Sequence, residues 1–512
     1  MTPPLDPNIA PGSPWPPGPS FVRRAFTGQI FRSSTIEFLR GNARLYGDLV
    51  HFRAADRHVF QLNHPALIEE MLVRDARHHH RGIVMQRARF VLGDGLLTSE
   101  EPLHLRQRRL TQPAFHRDRI AAYGSVIGDY ALQMTHTWQS GVTRDVHHDM
   151  LLLALRIVSK CLFNADVEAE ARNISAAVDA FMGFLPLAFL PFSAQIMRLP
   201  LPLMRRIHQG EAELDALIYS LIRQRRASGA GQDMGQNVTP SSTQNVSPNG
   251  AQKTDQGDLL SMLLSTVDTE GGTGSMSDRQ VRDECLTLLL AGHETTANGL
   301  SFALWLAALH PEWQQRLHDE ARQVLTGEAA TAADYTRLPL TWQHLAETLR
   351  LYPPVWVTAR TAAEPYSFRD LAIPQGSLLI APQIVIHHDQ RWWPDPERYD
   401  PNRFAGQAPA QRAQESASRE NTSRESASRD NTARPRFAWF PFGAGTRQCI
   451  GEGFAWMEGV LALATILRDW RVSLPAGHSP TLELQPRITL RPKAGVTLQL
   501  DRRAPPETGA PS

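Results

Sequence analysis

One stretch of this chain combines a single cysteine with several glycines and an arginine. It runs from Phe440 to Gly451 and contains Gly443, Gly445, Arg447 and Cys449. Glycines allow tight turns and a close approach of the backbone to a flat ligand. An apolar helical pattern follows, so Cys449 is predicted to precede a helix N-terminus, where the helix dipole and unpaired N–H groups favour a thiolate. We therefore expect Cys449 to ionise readily and to be able to bind a metal.

The surroundings of Cys449 restrict the kind of metal. A structural zinc site needs about four protein ligands, and the stretch contains no other Cys or His. A single axial thiolate instead suits haem iron and favours cleavage of an O–O bond. The alternative is a buried cysteine in a glycine-rich turn, which Cys449 by itself does not exclude.

The spacing in this stretch resembles the cysteine loop of the cytochrome P450 family. Phe442, Gly445, Cys449 and Gly451 match the pattern Phe-x-x-Gly-x-x-x-Cys-x-Gly in full. The resemblance implies that haem b (iron protoporphyrin IX) is bound and that Cys449 is the axial ligand of its iron. It also implies that four further residues of the loop contact the cofactor: Phe442, Gly443, Arg447 and Gly451.

A long helix is predicted well before the cysteine loop. Ser277 and Gln280 form a capping-box pattern that opens a helix from Asp278 to Leu309. At 1.5 Å per residue such a helix spans about 48 Å, enough to cross a whole domain.

The centre of this helix, residues 291–296, contains a glycine and two threonines, which a helix interior disfavours. One interpretation is a tolerated kink in a core helix. The segment is also similar to the P450 motif Ala/Gly-Gly-x-Asp/Glu-Thr. That resemblance implies that Ala291 and Gly292 leave room for O2, while Thr295 and Glu294 pass protons to it as catalytic residues.

Basic residues form a second candidate site. His104 and Arg108 lie four residues apart, on one face of a predicted helix. Two donors on one face can clamp a carboxylate, although a solvated basic face is the simpler interpretation. The pair resembles the His-x-x-x-Arg form of a P450 helix whose donors bind the haem propionates. By the same resemblance, Arg360 is a further propionate donor.

A third pattern lies in a helix predicted over Trp342–Tyr352 with Thr341 as its cap. Glu347 and Arg350 share a face of it, and an exposed pair of this kind contributes only about 0.2–0.5 kcal/mol. The pair resembles the P450 Glu-x-x-Arg motif, which implies a lock with Arg403 from a later loop. A guanidinium binds a carboxylate bidentately, so we expect this group to have a structural role.

The substrate is predicted to be apolar, such as a fatty acid, an alkane or a terpenoid. Aromatic and aliphatic residues in two segments are candidates for its pocket: Phe181, Phe184, Val355, Trp356 and Val357. The same residues could equally be ordinary core. The first segment also belongs to an apolar stretch, residues 181–204, which four prolines interrupt. We expect no stable membrane anchor there, and shallow contact with a membrane surface is the alternative.

The net charge and the cysteine count exclude some functional classes. With 53 basic and 52 acidic side chains the net charge is +1, which gives no global field for binding nucleic acid. Three cysteines in 512 residues indicate a reducing compartment rather than a disulfide framework. We therefore expect a cytoplasmic protein, and the proline-rich start has no features of a signal peptide.

The predicted organisation is one domain, mainly α with a small β-rich region, in the P450 fold. The catalytic domain covers residues 20–502, after a proline-rich segment 1–19 and before a flexible tail 503–512. Two low-complexity insertions are predicted inside it, at 227–255 and 405–434.

Three local predictions concern smaller features. Adjacent histidines cannot converge on one ion in a helix or strand, so His78, His79 and His80 are expected to be solvated or hydrogen-bonded. The stretch from Gly82 to Pro102 is predicted to be irregular. Tyr366 to Ile386 is predicted to be a hairpin with its turn at 374–376.

The four matching elements occur in the order of the P450 family, which implies a monooxygenase. Nothing in the chain resembles a fused flavin or iron–sulfur domain, so we expect electrons to come from separate proteins, a ferredoxin or flavodoxin with its reductase. The alternative is a haem-thiolate isomerase, a peroxygenase or a haem sensor that does not activate O2.

Overall fold

The computed structural model describes residues 15–19, 35–54, 57–166, 174, 202–233, 258–265, 275–407 and 434–504. The predicted pocket residues Phe181 and Phe184 lie outside the described residues, as does nearly all of both predicted insertions. Residues 227–233, assigned to the first insertion from sequence, instead end a helix that reaches Asp233.

Helices dominate the described chain, as the sequence predicted. In chain order the α-helices are α1 Thr35–Tyr46, α2 Pro65–Glu69, α3 Ile83–Leu92, α4 Leu103–Thr111, α5 Arg117–His136, α6 Val146–Phe163, α7 Pro202–Asp233, α8 Leu259–Ser265, α9 Asp278–Leu309, α10 Pro311–Val324, α11 Pro339–Leu351, α12 Gln383–Ile386 and α13 Glu452–Asp469. None of the helices in the described part of the chain combines the length and apolar character that a membrane span requires.

Short strands form four small sheets within the described residues. The strands are β1 Leu49–Ala54, β2 Arg57–Leu62, β3 His79–Arg81, β4 Val142–Asp145, β5 Thr358–Ala362, β6 Tyr366–Phe368, β7 Leu371–Ile373, β8 Leu378–Ala381, β9 Trp470–Ser473, β10 Leu484–Pro486, β11 Leu490–Pro492 and β12 Thr497–Arg502. The largest sheet has the order β1-β2-β8-β5-β3. In its antiparallel pair of β3 and β5, Arg81 lies opposite Arg360.

The long helix α9 begins and ends at the predicted residues. The Ser277 hydroxyl accepts from the Gln280 N–H, and the Gln280 side chain accepts from the Ser277 N–H, which completes the capping box. α9 is buried along most of its length and packs against α6, α7 and α13. A helix that is buried on all sides belongs at the centre of a domain.

Two of the local predictions are wrong. The stretch after Gly82 is not irregular throughout, because α3 occupies Ile83–Leu92 and buries Val91 and Leu92. Tyr366 to Ile386 is not one hairpin: β6 pairs with β7, whereas β8 pairs with β2 and β5 in the largest sheet. Most of β8 is buried, which suits the interior of a sheet and not a hairpin edge.

The predicted cap of α11 is also wrong. The helix begins at Pro339, whose fixed φ suits the first helical position. The hydroxyl and N–H of Thr341 both donate to Glu320 of α10, at 2.7 and 2.8 Å. Glu320 therefore caps the start of α11 from the neighbouring helix.

The adjacent histidines behave as predicted. His79 is buried and bonds to the Met71 carbonyl at 3.2 Å and to the Tyr366 hydroxyl at 2.7 Å. Across the described part of the chain, no group of three or more His, Cys, Asp or Glu side chains is arranged to hold a metal ion.

Candidate active site

The cysteine loop leads into α13 through two glycines with positive φ. Gly443 has φ +71° and Gly445 has φ +70°, and a Cβ at Gly445 would lie 2.1 Å from the carbonyl oxygen of Leu72. The Cys449 N–H donates to the Phe442 carbonyl at 3.0 Å, which closes the loop. Glycine is therefore required at 445 by both conformation and space, as the sequence pattern predicted.

Cys449 combines an exposed surface with a position deep in the protein. The residue lies deep in the protein, where burial is the main cause that raises the pKa of its thiol to about 11. Its surface is nevertheless exposed, so a bound ligand could reach it. The expectation that Cys449 ionises readily is wrong for the protein alone, because burial outweighs the N–H of Gly451, which lowers the pKa.

The centre of α9 is also more exposed than the rest of that helix. Ala291 is exposed, and Gly292, Thr295 and Thr296 are half-buried, although the helix on either side of them is largely buried. The Thr295 hydroxyl donates to the Ala291 carbonyl at 2.6 Å. Its proton is therefore directed at the helix backbone, and its lone pairs remain available to accept a hydrogen bond.

Glu294 has a different orientation from Thr295. It is buried, and its Oε1 lies 4.0 Å from a guanidinium nitrogen of Arg491 in β11. One turn further along α9, Asn298 donates to the Thr489 hydroxyl beside β11 at 3.3 Å. The structure thus turns Glu294 towards the β10–β11 region, while Thr295 remains beside Ala291.

Several buried cations lie together near the cysteine loop. Arg81 and Arg360 are neighbours across β3 and β5, and Arg447 donates to the Ser99 carbonyl at 2.6 Å and to Glu100 at 2.8 Å. Burial is the first cause that lowers the pKa of Arg360, to about 10, and the charge of Arg447 is the second. Burial and the charges of Arg360 and Arg447 also lower the pKa of Arg81.

His104 joins this cation cluster as a neutral group. Burial lowers its pKa to about 4, its Nδ1 donates to Glu101 at 2.9 Å, and its Nε2 is buried without a hydrogen-bond partner among the described residues. Nε of Arg81 is likewise buried without a partner there. Buried cations and orphaned nitrogens of this kind fit a ligand that carries carboxylates.

Arg108, the second donor of the predicted clamp, lies on the same helix as His104, and its charge is among the causes that lower the pKa of Arg81 and of Arg447. It donates to the carbonyl of Gln448 at 2.7 Å and so contacts the residue directly before Cys449. Arg81 and Glu100, by contrast, were missed from the sequence. No local motif marks them, because strand pairing brings Arg81 to Arg360 and a long-range contact brings Glu100 to Arg447.

The structure brings Glu347, Arg350 and Arg403 together, and the first two are fully buried. Arg350 binds Glu347 bidentately with two distances of 2.7 Å and also donates to the carbonyls of His387 and Pro396. Arg403 lies 3.5 Å from Glu347, and its Nε forms no hydrogen bond within the described residues. Arg350 is therefore the bidentate partner, and Arg403 contributes charge.

The predicted pocket residues after α11 differ in their burial. Trp356 is 6% exposed in a core cluster with residues of α1, β1 and β2, and its indole N–H donates to the Arg487 carbonyl at 2.9 Å. Val355 is exposed, and Val357 packs against the same core. Trp356 thus belongs to the core, since tight packing covers it on these sides.

Comparisons with known proteins agree with these features. The family model described as cytochrome P450 matches residues 14–499. Cyclooctatin synthase of Streptomyces melanosporofaciens is 33% identical over 88% of this chain and 87% of its own. Cyclooctat-9-en-7-ol 5-monooxygenase of the same organism is 32% identical over 83% of each chain. Pentalenene oxygenase of Streptomyces avermitilis is 30% identical over 90% of this chain and 89% of its own.

These matches extend across nearly the whole chain and include proteins named as oxygenases. Proteins of this family carry haem and use O2, an organic substrate and redox partners. The described fold, mainly helical with small sheets, agrees with theirs. The chain therefore belongs to the cytochrome P450 family, and it is a haem-dependent oxidoreductase of the monooxygenase type.

Proposed function

We propose that this protein inserts one oxygen atom of O2 into an apolar, terpenoid-like substrate, with haem b bound through Cys449 and electrons from separate redox proteins. The observation that carries the proposal is Cys449, which is exposed at the end of the cysteine loop, shortly before α13 begins at Glu452. When bound, the haem supplies O2 binding and O–O cleavage, favoured by an axial thiolate.

The loop and the cation cluster would hold the cofactor. Cys449 is the proposed axial ligand, and binding of the metal would release the proton that its raised pKa retains. Arg81, His104, Arg360 and Arg447 would donate to the two propionates, which would balance their buried charge. Phe442, Gly443 and Gly451 would line the cofactor, and Arg108 would hold the backbone beside Cys449.

The centre of α9 would leave space for O2 and deliver protons to it. Ala291 and Gly292 have small side chains and would leave space for O2. Thr295 would accept a hydrogen bond from a water or another donor in the site, because its own proton is held by Ala291. Glu294 would bring protons from the side of Arg491. The buried group of Glu347, Arg350 and Arg403 would have a structural role only.

The proposed substrate class is supported by the names of the relatives. Fatty acids, alkanes and terpenoids were all compatible with the sequence. The names of the relatives refer to pentalenene and to cyclooctat-9-en-7-ol, which favours the terpenoid class. The sparse cysteines remain the basis for proposing that the reaction takes place in the cytoplasm.

An arginine-rich surface beside the cysteine loop is the proposed docking site for the electron donor. It consists of exposed side chains on the segments that contact the loop: Val73, Arg74, Arg77, Leu105, Arg109 and Arg117. Leu72 approaches Gly445, and Arg108 reaches Gln448, so this surface lies next to the proposed ligand. Its charge suits an acidic ferredoxin or flavodoxin.

Docking can be tested by charge reversal. Arg109→Glu should raise the KM for the electron donor and leave the spectral response to substrate unchanged, because its position is outside the pocket. Arg205→Glu, an exposed arginine on α7, is the matched control and should change neither. Equal KM values for the two variants would contradict docking at this surface.

The haem ligand can be tested by spectroscopy. Cys449→Ser should abolish the thiolate spectrum of the reduced carbon monoxide complex, and Cys285→Ala, at a buried free cysteine, should preserve it. A surviving thiolate spectrum in Cys449→Ser would exclude Cys449 as the ligand. With a terpenoid bound, a product that forms only with O2 and an electron donor would distinguish oxygenation from isomerase or peroxygenase chemistry.

A further inference from the structure

Glu100 is a carboxylate within the cation cluster, which contains Arg81, Arg360 and Arg447. Its Oε1 accepts from the backbone N–H of Arg81 at 2.7 Å, and its Oε2 accepts from the guanidinium of Arg447 at 2.8 Å. Its side chain is 18% exposed and that of Arg447 is 9% exposed. A sheltered, charge-assisted hydrogen bond of this kind is stronger than an exposed ion pair. Glu100 therefore connects β3 with the cysteine loop through a charged contact.

The segment that contains Glu100 holds Arg447 at both terminal nitrogens. The Ser99 carbonyl accepts from Nη1 of Arg447 at 2.6 Å, while Glu100 accepts from Nη2. The Glu100 carbonyl also accepts from the His104 N–H at 3.0 Å, which ties the segment to the start of α4. Two consecutive residues thus fix the orientation of one guanidinium.

Helix α9 fixes the loop that leads to Glu100. The Asp283 side chain accepts from the Asp94 N–H at 2.9 Å, and the Glu284 side chain accepts from the Leu96 N–H at 3.0 Å. Two adjacent carboxyl groups of the long helix therefore hold the loop from which Glu100 reaches the cysteine loop. The position of Glu100 is a property of the packed fold and not of a local motif.

The cation cluster carries more positive charge than two propionates can balance. Arg360 is 7% exposed and lies opposite Arg81 in the sheet, and Arg447 is the third cation. Arg108, which bonds to the backbone beside Cys449, adds a fourth positive charge. Because a buried charge without a partner is destabilising, the site needs at least one anion in addition to the propionates.

Glu100 is better placed than its neighbours to provide that anion. Glu101 lies 4.0 Å from Arg447 and is half-exposed, so water and salt screen its charge more strongly. His80 lies 3.7 Å from Glu100 and is also half-exposed, so a positive charge there is screened as well. The pairing of Glu100 with Arg447 is the shorter and more sheltered contact.

We propose that Glu100 is a positioning residue that holds Arg447 in place for a propionate and acts as the third anion of the cation cluster. A negative charge near a bound haem opposes its reduction, because reduction adds an electron to the site. Glu100 would therefore keep the reduction potential of the haem lower than the arginines alone would set it. This inference rests on the proposed binding of haem through Cys449.

The reduction potential of the haem, measured by spectroelectrochemical titration, tests the charge of Glu100. Glu100→Gln keeps the shape and an oxygen that can accept from Arg81 but removes the charge, so the potential should shift to more positive values. Glu100→Asp keeps the charge on a shorter side chain, so its potential should stay close to that of the unchanged protein. Glu328→Gln, at an exposed position after α10, removes a carboxylate elsewhere and should cause no shift.

Two results would overturn the proposal. One is a shift in Glu100→Gln no larger than that in Glu328→Gln. The other is an equal shift in Glu100→Gln and Glu100→Asp, because a disturbed structure and not a lost charge would then be the cause.

The haem content of the purified variants provides a second measurement. If Glu100→Gln is obtained without haem, retention in Glu100→Asp would show that the charge is required, whereas loss in both would overturn the proposal. Absence of the thiolate spectrum in the unchanged protein would instead contradict the proposed haem ligand, and this inference with it.

Discussion

Glu284 provides the sharpest test of how burial controls ionisation in this protein. It lies in α9, where its Oε2 accepts from the Leu96 N–H at 3.0 Å, while its Oε1 is buried without a partner among the described residues. Burial is the main cause that raises its pKa to about 8, the negative charge of Asp283 raises it further, and the Leu96 N–H lowers it. The substitution is Glu284→Gln, which preserves shape and the bond from Leu96.

Proton linkage gives the sign and size of the change in folding stability with pH. The pKa of Glu284 rises from 4.5 in the unfolded chain to about 8 in the folded protein. The folded state therefore binds more protons between these values, and its stability falls as the pH rises through that window. Between about pH 5 and pH 8 this carboxyl group should remove roughly 3–4 kcal/mol of stability. Glutamine does not titrate, so the variant avoids this loss.

The assay is urea unfolding of the haem-loaded protein across this pH range, followed by tryptophan fluorescence. The stability of Glu284→Gln relative to the unchanged protein should increase steadily with pH. Glu213→Gln, at an exposed position on α7, controls for the removal of a carboxylate and should show no such trend. If the profiles of Glu284→Gln and the unchanged protein run parallel, Glu284 has an ordinary pKa and the argument from burial is wrong.

Three further predictions concern the proposed site and its support. Thr295→Ala should lower the ratio of product to electrons several-fold, because the acceptor beside Ala291 is lost, and unchanged coupling would remove Thr295 from the proton path. Glu347→Gln should lower the free energy of unfolding by about 3–5 kcal/mol, because Arg350 stays charged and buried; equal stability would show that backbone carbonyls alone satisfy Arg350. Gly445→Ala should prevent stable haem binding, because the new Cβ would meet Leu72. Gly477→Ala, with a similar φ of +77° and open space, should retain the haem, and equal retention by both would contradict the steric argument.

Local features could be predicted because a few neighbouring residues encode them. The bounds of α9 follow from the Ser277 capping box and the helix-ending His310-Pro311. The positive φ of Gly443 and Gly445 follows from glycine's freedom within a tight loop. The prediction that Thr341 caps α11 failed because Glu320, a residue of the neighbouring helix α10, supplies the cap.

The electrostatics of the site could not be predicted in this way. The helix N-terminus suggested an acidic thiol at Cys449, but burial raises its pKa to about 11. The spacing of Glu347 and Arg350 gave no information on their burial, and the structure shows both residues fully buried. Desolvation depends on every atom around a group. A sequence motif contains only its own residues, so it does not show how deeply they are buried.

The sequence by itself determined the family, the cysteine loop, the central helix and the order of the proposed catalytic elements, because each depends on spacing within a short segment. Only the tertiary structure decided that Arg81 lies opposite Arg360, that Glu294 faces Arg491, and that Glu320 caps α11. These contacts join residues far apart in the chain. Strand pairing and helix packing create them, and no periodicity within one segment can specify its partner.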